Sequence, residues 1–309
     1  MQENNKTDIL DSSPLVSILC LSMNHERFIE KSIHSALAQT YSNLEFIYLD
    51  NFSSDTSYEK ASAMFKACDR PASVYRREKN FGISANLNFM LGYAKGKYIS
   101  TLSADDWWDI TNIEEKVAFY EKNPQYGLLH GGGYICYYDT GEIVREPVLN
   151  SKSGWMLKEV LKRNFINTNG VLLRKDVLNH LGLFDEQSNL EDWDMWIRIA
   201  EIYPIVFFEK PLAYYGKQSA NVSANRAYMK EGYEYIFKKY RHYKEVDAAR
   251  DYYKMVDVYE AAMLQPSLDG MRLLIKHFRF SAVHIKQMGK IMLAFFGISV
   301  GNKKRAGKK

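Results

Sequence analysis

The strongest constraint on the fold is a unit repeated through the first third of the chain: a short β-prone run, a polar turn, then apolar positions at helical spacing. Residues 15–21 form a continuous apolar run of the kind found in a central parallel strand. Ile29, Ile33, Ala36 and Leu37 follow at helical spacing. Residues 44–49 give a second strand, with Asp55 placed to cap a helix over 58–68. A third strand at 73–76 leads to a helix carrying Leu87, Phe89, Met90 and Leu91, closed at Gly96, and a fourth strand occupies 97–102. Strands alternating with helices imply an α/β chain with a doubly wound sheet.

Each strand ends in a polar cluster, at 22–26, 50–55, 80–84 and 103–106. In a parallel sheet the carboxyl ends of the strands share one edge, so these clusters are expected to converge on a ligand. The last cluster is the most telling. Asp105 and Asp106 stand side by side before Trp107 and Trp108. Adjacent carboxylates repel unless they are solvated or share a cation, and hard divalent ions such as Mg²⁺ or Mn²⁺ prefer oxygen ligands. Capping of the next helix is the competing explanation, because Asp favours helix N-termini. Glu191 and Asp192 likewise sit at a helix mouth, ahead of Trp193, Trp196, Ile197 and Ala200, where capping alone accounts for them.

Several classes are disfavoured. No glycine precedes Gly82, so the phosphate cradle of a dinucleotide-binding enzyme is missing. Nucleotidyltransferase chemistry lacks its early glycine-rich basic loop for the same reason. The formal charge is +4, but residues 302–309 hold five of the 41 Lys and Arg, and the rest balance the 37 Asp and Glu. Bulk charge therefore gives no nucleic-acid face. Cys20, Cys68 and Cys136 show no ligand spacing, as in a reduced compartment. Residues 1–13 are polar with no apolar core, so no secretory leader is expected, and a cytoplasmic location follows.

Beyond Asp106 the pattern calls for a helix at 111–122 and strand material over 126–138, with a bulge or close backbone approach at Gly131, Gly132 and Gly133. A hairpin turn is expected at 139–142, an amphipathic helix at 155–161 and a short strand at 169–173. Two closing strands are expected at 205–208 and 212–215. From Asn225 the chain reads as helices. Residues 278–298 set Phe280, Val283, Phe295 and Phe296 against Lys286 and Lys290, followed by a basic tail. That suits either an anionic membrane surface on the inner face of the cytoplasmic membrane or a helix packed on the body.

In order, these clusters resemble the inverting glycosyltransferases of family 2, which have the GT-A fold, a Rossmann-like mixed sheet flanked by helices. Residues 16–24 resemble that family's first strand and turn. Residues 35–45, Ser-Ala-Leu-Ala-Gln-Thr-Tyr-Ser-Asn-Leu-Glu, resemble its first helix exit. Residues 49–55 resemble VDDGSTD, 80–88 resemble NxGxSxARN, 103–106 resemble DADD, and 191–196 resemble EDWDLW. The likeness covers about 14–223, leaving a flexible tail at 1–13, a helical extension at 224–301 and a basic tail at 302–309.

The resemblance implies a donor pocket of Ser22, Asn24, Glu26, Asp50, Asn51, Asn80, Gly82, Ser103, Ala104 and Asp105, with Asp50 on the nucleotide base. It implies Asp105 and Asp106 at a Mg²⁺ or Mn²⁺ ion, Asp192 as general base with Glu191 orienting it, and Trp107, Asn169 and Trp193 on the acceptor side. The implied partners are a nucleotide-sugar donor, a UDP-sugar foremost, and a glycan or lipid-linked acceptor in surface-polysaccharide synthesis. Three positions depart from the family pattern: Ser103 replaces an Asp, Leu87 an Arg and Gln218 a His. They motivate an alternative, a non-catalytic protein of the same fold that binds a nucleotide sugar or a partner.

Overall fold

A computed structural model describes residues 13–218 and 221–264, with side chains through Asp257. The amphipathic stretch at 278–298 and the basic tail at 302–309 lie outside the described residues, as does most of the expected N-terminal tail.

The elements run β1 (Val16–Ser22), α1 (Ile29–Leu37), β2 (Leu44–Asp50), α2 (Ser57–Lys66), β3 (Ala72–Arg76), α3 (Ile83–Leu91), β4 (Tyr98–Ser103) and β5 (Trp107–Trp108). They continue α4 (Asn112–Lys122), β6 (Leu128–Tyr137), β7 (Glu142–Arg145), α5 (Leu157–Lys162), β8 (Leu172–Arg174), α6 (Lys175–Leu181), α7 (Glu191–Ile202) and β9 (Ile205–Lys217). Two helices follow, α8 (Arg226–Lys239) and α9 (Glu245–Leu264). Chain contacts divide the protein into one unit ending at Ile236 and a second beginning at Phe237.

One nine-stranded sheet carries the first unit, in the order β3-β2-β1-β4-β8-β6-β9-β5, with β7 paired to β6. β3, β2, β1 and β4 are mutually parallel. β1 lies between two parallel neighbours and is buried almost throughout, which is why its sequence is a continuous apolar run rather than an alternating one. Ile29, Ile33 and Ala36 of α1 and Phe65 of α2 join Ile18, Phe46 and Tyr48 of the sheet in one apolar cluster. Burying side chains of this size stabilises the fold by about 1.5–3 kcal/mol each.

Register decides where the polar clusters go. Leu21 faces Ser103, Ser22 faces Asp50, and Asp50 faces Arg76, so four strand ends finish side by side. The convergence expected from the sequence is found.

The second half mixes directions: β8 is antiparallel to β4 and β6, whereas β9 runs parallel to β6. Here the two closing strands prove to be one. β9 is continuous over 13 residues, and the pairing jumps from Gly131 opposite Phe208 to Gly133 opposite Ala213. Pro211 has no N–H to offer a ladder and sits inside that jump. The three glycines make the bulge feasible, since a Cβ on Gly133 would lie 2.3 Å from the Ala213 carbonyl oxygen. The strand expected at 169–173 is shorter, because Thr168–Gly170 form a 3₁₀ turn in which Asn167 accepts from the Asn169 N–H.

Candidate active site

The turn after β1 and the loop after β2 are laced together. Asn24 adopts φ 57°, a left-handed conformation that Asn tolerates. Its Oδ1 accepts from the Ser54 N–H at 2.9 Å, and its own N–H donates to Ser53 Oγ at 2.9 Å. Glu26 Oε2 accepts from Thr56 Oγ1 at 2.8 Å, and the Glu26 N–H donates to Asp55. Asn51 holds the third loop: its Nδ2 donates to Asn80 Oδ1 and to the Phe81 carbonyl, and its Oδ1 accepts from the Phe81 N–H, each at 2.9 Å. Asn80 and Gly82 stay exposed on this rim. A Cβ on Gly82 would meet nothing within 4 Å, so packing does not demand a glycine there.

Asp50 is placed differently from its sequence assignment. It is 0% exposed. Its carboxylate accepts from Ser22 Oγ at 3.2 Å and from the Ser53 N–H at 2.9 Å, and Arg76 Nε lies 3.5 Å away. Enclosed by these donors, Asp50 frames the loop that follows β2. Ser22, 1% exposed and also bonded to Tyr48, belongs to the same frame.

The acidic pair is built from both halves of the sheet. Ser103 Oγ donates to Asp105 Oδ1 at 2.6 Å, so the residue standing where the family has Asp steadies the carboxylate that follows it. Asn221 Nδ2 donates to Asp105 Oδ2 at 3.1 Å, and Tyr138 Oη donates to the Asp105 carbonyl at 2.7 Å. Asp106 Oδ1 accepts from the Gly216 N–H at 2.8 Å. Burial, and then the neighbouring Asp105, push the Asp106 carboxyl well above its usual range, with Glu146 adding to the effect. Ala104 is buried beneath the pair. Trp107 is 7% exposed, stacked on Tyr214 at 5.2 Å with Lys31 Nζ over its ring.

Ser103, Asp106, Asn169, Glu191 and Asp192 line a single cavity of about 460 Å³. Asn24, Asn51, Asn80 and Asp105 are not among its lining residues. They follow β1, β2, β3 and β4, whose ends the register sets side by side. Asp192 Oδ2 accepts from Asn164 Nδ2 at 3.1 Å and from Thr168 Oγ1 at 3.3 Å. Burial raises the Asp192 carboxyl. Burial, and then Asp192, push Glu191 up to about 8. Asn169 is fixed from both sides, accepting from Trp108 Nε1 at 2.7 Å and donating to the Tyr214 carbonyl.

Trp193 does not join them. It is 0% exposed, and its indole N–H donates to the Val160 carbonyl at 2.7 Å. One residue on from Asp192 is a 100° turn of the helix, which carries the ring into the core.

Other lining residues escaped the sequence reading. Glu146 follows β7, and burial raises its carboxyl above the ordinary value. Asn164, Asn167 and Thr168 come from the irregular segment before β8, where no periodicity marks them. Leu87 supplies apolar wall where an Arg was expected, and Lys217 contributes a cation.

A family model described as glycosyl transferase family 2 matches residues 17–181. The chain belongs to this family. A relative named for colanic acid biosynthesis, WcaA of Escherichia coli K12, is 29% identical over 199 residues, covering 63% of this chain and 69% of its own. Among solved structures, Staphylococcus aureus TarS 1–349 in complex with UDP-GlcNAc superposes with a TM-score of 0.64 at 14% identity, over 91% of this chain and 81% of that one. The mannosyltransferase PcManGT of Pyrobaculum calidifontis, in complex with GDP-Man and Mn²⁺, superposes at 0.61 with 16% identity, over 93% and 88%. The sheet and its flanking helices are thus the GT-A fold, and this family 2 member is a glycosyltransferase. Among its described residues no helix is long and apolar enough to cross a membrane.

The family implies a divalent cation, and the acidic pair suits one. Asp105 and Asp106 are both 5% exposed, and Asp105 raises the cost of ionising Asp106, a repulsion that a hard cation would relieve. Among the described residues no group of three or more His, Cys, Asp or Glu encloses a metal by itself.

Proposed function

We propose that the chain transfers a sugar from a nucleotide-diphosphate donor, a UDP-sugar foremost, to a hydroxyl of a glycan or lipid-linked acceptor in polysaccharide synthesis, with inversion at the anomeric carbon. The observation carrying this reading is that Asp106, from the end of β4, and Asp192, from the start of α7, line the same cavity. The complexes of TarS with UDP-GlcNAc and of PcManGT with GDP-Man support a nucleotide sugar as donor.

In this scheme the nucleoside lies over the rim formed by Asn24, Asn51, Asn80 and Gly82, with Asp50, Ser22 and Glu26 keeping the loops in place. Asp105 and Asp106 would hold the cation beside the diphosphate, with Ser103 and Asn221 orienting Asp105. When bound there, Mg²⁺ or Mn²⁺ stabilises the negative charge that accumulates on the leaving diphosphate. Asp192 accepts the proton of the attacking hydroxyl while the new C–O bond forms and the bond to phosphate breaks on the opposite face. Burial strengthens Asp192 as a base, and Asn164 and Thr168 hold its carboxylate in one orientation. Burial and the neighbouring Asp192 both raise the Glu191 carboxyl, so Glu191 stands beside the base as a carboxyl disfavoured from ionising. Trp107 and Asn169 shape the acceptor side from behind.

The test is a panel of UDP-, GDP- and dTDP-sugars with the purified protein, reading released nucleoside diphosphate. Turnover with one donor, lost in Asp192→Asn, is the expected result. No turnover with any donor would favour the non-catalytic alternative.

A further inference from the structure

Four of the eleven large apolar side chains exposed among the described residues fall in one short excursion between β6 and α5. Ile143 is 50% exposed, Val148 45%, Leu149 52% and Trp155 69%. The segment is pinned to the sheet and does not trail from it. The Glu146 N–H donates to the Gly133 carbonyl, Gly154 pairs with Ile205, and Ser153 Oγ accepts from the Phe207 N–H. Val148 and Leu149 line a small recess with Phe207, and Leu149 also lines the cavity that holds Asp192.

Cations are interspersed with these side chains along the same segment. Arg145, Lys152, Lys158 and Lys162 are exposed, and none forms an ion pair among the described residues. The acids of the same stretch do not match them. Glu146 is turned into the cavity, leaving Glu142 and the half-buried Glu159. Exposed apolar groups mean something when they cluster, and apolar groups interleaved with unpaired cations match the headgroup layer of an anionic bilayer.

We propose that residues 143–163 form a docking surface for an anionic phospholipid bilayer, setting the mouth of the Asp192 cavity against the membrane. The inference deepens the lipid-linked branch of the proposed function and rests on it for purpose, but the binding itself is independent of turnover. It is also distinct from the stretch at 278–298.

Trp155 supplies its own probe. The other four tryptophans, Trp107, Trp108, Trp193 and Trp196, are at most 7% exposed, so lipid-dependent fluorescence changes report on Trp155. The experiment adds the full chain to vesicles of phosphatidylglycerol and phosphatidylcholine, then to phosphatidylcholine alone, with brominated acyl chains as quencher. The expected result is a blue-shifted emission quenched by the brominated lipid, present with the anionic vesicles, absent with the neutral ones and weakened by salt. Leu149→Ser combined with Trp155→Ser should lower vesicle partitioning in a flotation assay by about 100-fold, roughly tenfold for each large side chain withheld. Lys152→Glu with Lys158→Glu should lower it by about tenfold or more at low salt. Binding without Trp155 quenching, or no binding to anionic vesicles, would overturn the proposal. Nucleoside diphosphate release with a soluble acceptor, measured in parallel, should not change in the lysine variants. Its absence in the wild type would count against the proposed reaction, not against the docking surface.

Discussion

The Gly216 N–H donates to Asp106 Oδ1 at 2.8 Å, and a Cβ on Gly216 would lie 2.0 Å from the Asp105 carbonyl oxygen. The last turn of β9 therefore presses its bare backbone against the acidic pair. Substitution Gly216→Ala must push the pair away. It should cost about 1–3 kcal/mol of stability through overpacking. The larger expected effect is a loss of turnover of at least about tenfold, because the carboxylates no longer meet the diphosphate in register. Thermal unfolding and steady-state kinetics on one preparation separate the two effects.

Asp192→Asn should reduce kcat by about 10²–10⁴-fold, the contribution of a positioned general base. Donor affinity, measured by calorimetry, should change little, since Asp192 bonds to Asn164 and Thr168 and not to the donor loops. Near-wild-type transfer would remove Asp192 from the reaction.

The pH profile has a defined sign. Burial raises Asp192, so the acid limb of kcat/KM should lie above the ordinary aspartate range, with activity lost as pH falls through it. Asn164 and Thr168 donate to the ionised form and hold the value down. Replacing Asn164 by Leu should move the limb further up, by an amount readable from rate against pH.

Chelation tests the acidic pair. EDTA should abolish transfer, and Mn²⁺ or Mg²⁺ should restore it. In Asp105→Ala, restoration should require a higher metal concentration and reach a lower plateau. Equal donor affinity and rate with and without metal would refute the cation's role.

Lys116 gives a prediction about stability alone. It is 1% exposed on the inner face of α4, and burial lowers its ammonium to about 7. The unfolded chain keeps the ordinary value of 10.5 and binds the extra proton, so stability should rise with pH between about 7 and 10.5. The slope is on the order of 1.4 kcal/mol per pH unit, and below pH 7 this contribution is gone. Lys116→Met should flatten that slope in urea unfolding measured at several pH values.

The first half of the fold was legible because parallel strands announce themselves. Residues 15–21 and 44–49 are apolar except for Ser17 and Glu45, and each run ends in a polar turn, so both the sheet and the edge where the clusters meet follow from the pattern. Motif likeness proved less informative about roles. Gln39 is 1% exposed, accepts from the Ile113 N–H and donates to the Ser35 and Asp109 carbonyls. Glu45 accepts from Ser17 and from the backbone of Lys95 and Gly96. Both lie in a stretch resembling the family, and both serve architecture. At Asp50 a carboxylate at a strand end was visible, but its partners Ser22, Ser53 and Arg76 were not. Glu146 and Asn164 lie in irregular backbone and Thr168 opens a 3₁₀ turn, where function depends on tertiary placement that no local pattern encodes. The single β9 was hidden by Pro211, which marks a break in any strand read without its partner.

β9 has a consequence for how the enzyme comes into being. It fills the place between β6 and β5, and its far end reaches Asp106. During synthesis the carboxylates at 105 and 106 emerge long before Gly216 does, so the nascent chain carries its acidic pair unsupported until that strand slides home. A truncated chain stopping at residue 181, where the family match ends, would lack Asp192, the backbone donor and the sheet's closing ladder together. Backbone support of the acidic pair and completion of the sheet are then one event.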